Sequence, residues 1–119
     1  MLANGGELDE VRILSSEIVK TLGVPRNNSE ELDQVMFNIP LPISLGGFWL
    51  GGNYPPVCSA KSARAICRPG QGGSIGWADF DANLAVAICH NRLFNATSVE
   101  EDAILVVANA VREALGPGL

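Results

Sequence analysis

Apolar and polar positions divide the chain into three stretches. In the first, residues 5 to 25, turn chemistry at Asn4-Gly5-Gly6 is followed by a short helical pattern. Ser15 or Ser16 supplies an N-cap, Glu17 sits in the first turn, and Ile18, Val19 and Leu22 form the apolar face. Gly23 and Pro25 end the helix. In the second stretch, residues 29 to 61, Pro40, Pro42, Gly46, Gly47, Gly51, Gly52, Pro55 and Pro56 forbid a long helix. One extended segment is expected at Ile43–Leu50, followed by a loop through Tyr54 and Pro56.

The third stretch, residues 63 to 115, is the most regular. A strand begins at Ala65-Ile66-Cys67, Gly72-Gly73 breaks it, and Ser74 to Ala78 forms a second strand. Asp79 to Asn83 makes a turn, because Asp and Asn bond to nearby backbone and tolerate turn geometry. The run from Leu84 to Cys89 is apolar on both faces, which predicts a central strand covered on each side. Ser98 and Glu101 have capping-box spacing. Ile104, Val107, Ala108, Val111 and Leu115 then form one helical face, closed by Gly116 and Pro117. The short connections make the three strands antiparallel, and the last helix is expected to pack on their sheet.

Composition narrows the function classes. A length of 119 residues with 47% hydrophobic positions supports one small core. No apolar run approaches the roughly 20 residues of a membrane helix, and the N-terminus has neither the cationic start nor the apolar stretch of a signal peptide. Net charge is −5 with eight scattered basic residues, so the basic stripe that nucleic-acid binding needs is missing. Cys58, Cys67 and Cys89 lack metal-ligand spacing. They read as thiols of a reducing compartment, which leans toward the cytoplasm without fixing the localisation. Neither a metal site nor a cofactor is expected.

Three constellations are candidates for chemistry. Gly72-Gly73-Ser74-Ile75-Gly76 fits the G-x-S-x-G elbow, but that motif needs a strand before it and a helix after it. Here both flanks read as strand. A small esterase using Ser74 and His90 is therefore the weakest reading, and His90 is better taken as a structural histidine. Asp79 and Asp81 are better explained by the turn than as an acid/base pair. In Arg68-Pro69-Gly70-Gln71-Gly72-Gly73, glycines allow close approach of a ligand or backbone, and the neighbouring cation suits a carboxylate. A plain bend between strands fits that stretch equally well.

Gly70-Gln71-Gly72-Gly73-Ser74-Ile75-Gly76-Trp77-Ala78-Asp79 resembles a signature of the serine β-lactamase-like family, which includes class C β-lactamases, penicillin-binding proteins and related esterases. Leu84 to Arg92 resembles the strand that follows it. Met1-Leu2-Ala3-Asn4-Gly5-Gly6-Glu7-Leu8 and Val11-Arg12-Ile13-Leu14-Ser15 resemble an upstream M-L-x-N-G-G-x-L…V-x-L-L-S segment. The middle, about Pro25 to Ala65, matches loosely.

The resemblance implies an α+β chain, the C-terminal part of a β-lactamase/transpeptidase-like fold with an antiparallel sheet and a packed C-terminal helix. Residues 1–119 would form one partial domain: 1–62 with the first helix and the Pro/Gly-rich segment, 63–119 with three strands and the last helix. The family's nucleophile motif S-x-x-K is absent from this sequence, and Tyr54 is followed by Pro55-Pro56 rather than completing Y-x-N. Met1 aligns with an internal methionine of the family, so a fragment is expected, with no catalytic residue in the chain.

What the resemblance leaves is substrate-side. Arg68-Pro69-Gly70 takes the place of Lys-Thr/Ser-Gly or His-x-Gly, and Arg cannot carry a proton as Lys or His does. Gln71 would give a backbone oxyanion donor, beside Gly70 and Gly72. The complete enzyme would hydrolyse a small ester, or an amide, through an acyl-enzyme. The alternative is a non-enzymatic interaction module that self-associates, or takes up a complementing N-terminal segment, through an exposed sheet edge.

Overall fold

The computed structural model describes residues 1–26, 28, 30–35, 38–52, 64–70, 72–93 and 102–116. A 3-10 turn at Leu2–Asn4 leads into a two-stranded ribbon of β1 (Glu7–Leu8) and β2 (Val11–Arg12), followed by α1 (Ser16–Leu22). A second short ribbon pairs β3 (Leu32–Asp33) with β4 (Ile39–Pro40). The main sheet contains β5 (Trp49–Leu50), β6 (Ala65–Pro69), β7 (Ile75–Asp79) and β8 (Leu84–Ile88), antiparallel throughout and in that spatial order. The C-terminal helix α2 spans Ala103–Leu115. The α+β architecture, with an antiparallel sheet and a C-terminal helix, is the one expected from the sequence.

Alternation along β6 and β7 builds a core on each side of the sheet. Cys67, Ile75 and Trp77 point to the α2 side, where Ile104 and Ala108 meet them and Val86 and Ile88 of β8 complete the layer. Ile66, Ala78 and Leu50 face the other way, against Ala3, Phe48 and Phe80. The β6–β7 ladder is complete from Ala65↔Asp79 to Pro69↔Ile75. A one-residue slip would exchange the two cores, so the alternation itself fixes the register.

Several expectations need correction. Residues 43–50 are not one extended segment: Ile43 bridges Trp49, and the intervening residues turn back through Gly47 at φ 76. Ser44, fully buried, accepts the Phe48 N–H at its Oγ, which closes that turn. Only Trp49–Leu50 is strand, and it brings a fourth strand into the sheet from the stretch read as Pro/Gly-rich.

Among the described residues β8 is an edge strand rather than a central one. It pairs there with β7 alone, and Ala85, Ala87 and Cys89 are exposed between half-buried Val86, Ile88 and His90. Small apolar residues kept the hydropathy continuous where the burial alternates.

Each helix buries only part of its expected face. In α1 Val19 is buried while Ile18 is exposed. In α2 the buried stripe is Ile104, Leu105 and Ala108, with Val107 and Leu115 exposed. The Ser98–Glu101 box, Pro117 and the Tyr54–Pro56 loop lie outside the described residues. The cap of α2 is Asp102, whose Oδ1 accepts the Ile104 N–H at 2.9 Å. Asp102→Ala should cost about 1 kcal/mol, to be read as a lowered urea midpoint with an unchanged slope.

α1 is capped as expected by Ser15, whose Oγ accepts the Ile18 N–H. Glu17 in its first turn is held below the usual carboxylate range, chiefly by a hydrogen bond from its own backbone N–H. The hydroxyls of Ser15 and Ser16 and the charge of Lys20 act in the same direction. A carboxylate with a depressed folded pKa contributes stability above its unfolded pKa and loses it as the pH falls through the folded value. Amide shifts of Ser16–Leu22 should therefore drift as pH falls below 4.5, and Glu17→Gln should flatten that drift.

Candidate functional site at the β6–β7 turn

β6 runs out through Arg68 and Pro69 and turns back into β7 over residues 70–74. The Gly70 N–H donates to the Ser74 carbonyl at 2.7 Å, and the Gly73 N–H donates to the Gly70 carbonyl at 3.1 Å. Gly72 and Gly73 hold φ of 85° and 106°, a region that L side chains rarely enter. At Gly73 an added Cβ would lie 3.0 Å from both His90 Nε2 and Ile104 Cγ1. The glycine pair is thus needed twice, for backbone sign and for space. Pro69 lacks an N–H, and β5 reaches only to Cys67, so β6 is an edge of the described sheet where the proline sits.

Arg68 is exposed and its guanidinium donates from Nη1 to the Gly47 carbonyl at 3.1 Å. The buried-serine turn at residues 44–48 therefore anchors the cation. This contact was not foreseen, although the Gly46-Gly47 pair signalled the turn that makes it. Arg68 forms no salt bridge among the described residues; the two ion pairs there are Arg12–Glu7 and Arg64–Asp81.

A shallow cavity of about 490 Å³ opens beside the guanidinium. Gly70, Ser74, Gly76, Ala87 and Cys89 line it with Arg68. Of the expected substrate-side residues, Arg68 and Gly70 share this cavity. Gly72 lies against Leu93 instead, and Gln71 is outside the described residues.

The other candidates are resolved by the same geometry. Ser74 is followed by strand β7, so the helix an elbow requires is missing. Ser74 lines the Arg68 cavity, whereas His90 packs on Gly73 and Ile104 with both ring nitrogens shielded from solvent. Asp79 is a turn residue: its Oδ1 accepts the N–H groups of Asp81 and Ala82 at 2.9 and 3.0 Å. Asp81 pairs with Arg64 at 2.8 Å. Cys67 is buried and Cys89 exposed. No group of three or more potential metal ligands occurs among the described residues. Nor is any helix among them long and apolar enough to cross a membrane.

No family model matches the chain. Over 116 residues it is 34% identical to the esterase/beta-lactamase LipL of Mycobacterium tuberculosis, a match covering 95% of this chain and 24% of that protein. That likeness supports a relationship with the serine β-lactamase-like family. Two solved structures share its fold. A family VIII carboxylesterase superposes with a TM-score of 0.71 at 24% identity, over 93% of this chain and 28% of its own. A penicillin-binding protein homologue from Caulobacter crescentus superposes at 0.68 and 23% identity, again over 93% and 28%. The chain thus spans about a quarter of the length of these relatives.

Proposed function

We propose that this chain is the C-terminal section of a serine hydrolase, which in the complete protein cleaves a small ester, or an amide, through an acyl-enzyme. The observation that carries the reading is the β6–β7 turn: a tethered guanidinium with no counter-ion among the described residues, beside an open cavity and a backbone turn that only glycines permit. The relationship to an esterase/beta-lactamase supports the reaction class.

In this reading Arg68 holds an electron-rich part of the substrate as a fixed charge, without exchanging protons. The Gln71 N–H supplies one donor to the developing oxyanion, and the nucleophile's own N–H supplies the second. The attacking serine lies on a segment carrying S-x-x-K, a motif this chain does not contain. Half an oxyanion hole without a nucleophile forms no acyl-enzyme.

The 119-residue chain should therefore show no turnover of a chromogenic short-chain ester or a chromogenic cephalosporin. A fluorophosphonate probe should leave its serines unlabelled. Hydrolysis that disappears in Ser74→Ala would overturn the reading.

A second reading rests on β8. Its far edge has no partner strand among the described residues, and Ala85 and Ala87 leave its outer face flat. Such an edge recruits strands from a second copy or from a complementing segment. Sedimentation of the isolated chain distinguishes the two: association that falls away on dilution supports an interaction module, and a monomer at all concentrations removes it.

A further inference from the structure

β8 carries neither a charged residue nor a proline, two of the devices that blunt an edge strand. The other outer strand of the sheet, β5, is only two residues long. Along β8 the larger side chains Leu84, Val86 and Ile88 are half-buried, and Ala85 and Ala87 are exposed.

The backbone of β8 alternates in the same way. The Gly70 N–H donates to the Ser74 carbonyl, and Pro69 has no N–H. Alternation then makes Arg68↔Gly76 and Ile66↔Ala78 the hydrogen-bonded pairs of the β6–β7 ladder. Gly76 and Ala78 turn their backbone groups to β6, so Ile75, Trp77 and Asp79 turn theirs to β8, opposite Ile88, Val86 and Leu84. The N–H and C=O groups of Ala85 and Ala87 therefore point away from the sheet.

This edge complements itself. Leu84-Ala85-Val86-Ala87-Ile88 has the same pattern of sizes in both directions, and an isologous interface needs that symmetry. We propose that the chain forms a two-fold dimer through β8, antiparallel, with Val86 on the axis opposite Val86 of a second copy. Ala85 then lies opposite Ala87 of the second copy, and Leu84 opposite its Ile88. The Ala85–Ala87 pairs exchange both N–H···O bonds, and the axis passes through the non-bonded Val86 pair between them. Only this register pairs all five residues of the strand. The axis uses β8 of both copies, so association closes at the dimer. The proposal rests on the second reading above, that β8 is an association edge, and names its partner and register.

Sedimentation equilibrium of the full chain, with amide exchange at high and low concentration, tests it. A dimer is expected. The Ala85 and Ala87 amides should exchange slowly in the dimer and fast on dilution, while the Val86 amide, bonded to β7, stays slow in both. Ala85→Lys/Ala87→Lys sets Lys opposite Lys at both Ala pairs and should weaken the dimer about tenfold. Ala85→Glu/Ala87→Lys sets Glu opposite Lys at both and should restore it. Both positions are exposed, and a slow Val86 amide shows that each variant keeps β8 on the sheet. A monomer at every concentration would overturn the second reading and this proposal together. So would association that leaves the Ala85 and Ala87 amides fast or that the double Lys variant does not weaken. Association through β8 in which the Glu/Lys variant is as weak as the double Lys variant, or that continues beyond a dimer, would keep β8 as an edge and overturn the two-fold register.

Discussion

Replacing Trp77 with alanine is expected to remove about 3–5 kcal/mol of stability. Domains of this size hold only about 5–15 kcal/mol in total. Trp77 is 5% exposed at the middle of β7. Its register partners are Cys67 on β6 and Val86 on β8, and Ile104 and Ala108 of α2 belong to the same cluster. One side chain therefore joins three strands to the C-terminal helix. Truncation leaves a cavity that four different elements would have to close. The variant should lose its near-ultraviolet dichroism at urea concentrations where the parent is folded. Val35→Ala is the matched control: Val35 is 90% exposed, and its loss should shift stability by less than about 0.5 kcal/mol. A Trp77→Ala midpoint close to the control would mean that α2 does not dock on the sheet as described.

The second large effect is Gly73→Ala, with an expected loss of about 2–4 kcal/mol from two additive sources. Alanine is strained at φ 106. Its Cβ also enters a gap bounded at 3.0 Å by His90 Nε2 and Ile104 Cγ1, and overpacking of this kind displaces neighbours. The consequence is local as well as global. The turn that sets Arg68 and Gly70 beside the cavity is closed by the Gly73 N–H on the Gly70 carbonyl, so β6 and β7 should separate first at this end. Hydrogen exchange in the variant should accelerate at Gly70 and Gly76 before it does at Ile66 and Ala78. Uniform acceleration, or none, would contradict the packing described for the turn.

The sequence made the sheet hairpins legible because their signals are local. Gly72-Gly73 and Asp79 to Asn83 break the strands where the turns fall, and alternation assigns the faces. The caps were half legible. Ser15 acts as read, but Asp102 was overlooked because the nearby Ser98–Glu101 spacing fits a capping box. Long-range pairing was not legible. Nothing local says that Trp49–Leu50 joins β6, or that Leu84–Ile88 lies at an edge, since continuous apolarity looks the same when alanines face outward. Helix faces were legible in part: Val19, Ile104 and Ala108 are buried as read, while tertiary packing leaves Ile18 and Val107 exposed and turns Leu105 inward. At the candidate site Arg68 was legible as the cation beside the glycine-rich stretch, and again through the motif resemblance, but its tether to the Gly47 carbonyl needed three dimensions.

In the proposed reading this chain supplies the substrate side of a serine hydrolase whose nucleophile lies on a segment outside it. The reading frame upstream of the Met1 codon in the transcript tests this most directly. The account expects Ser-x-x-Lys, then Tyr-x-Asn, in frame ahead of Met1. A message whose frame closes ahead of Met1 without either motif would contradict it and leave β8 and its partners as the function to pursue.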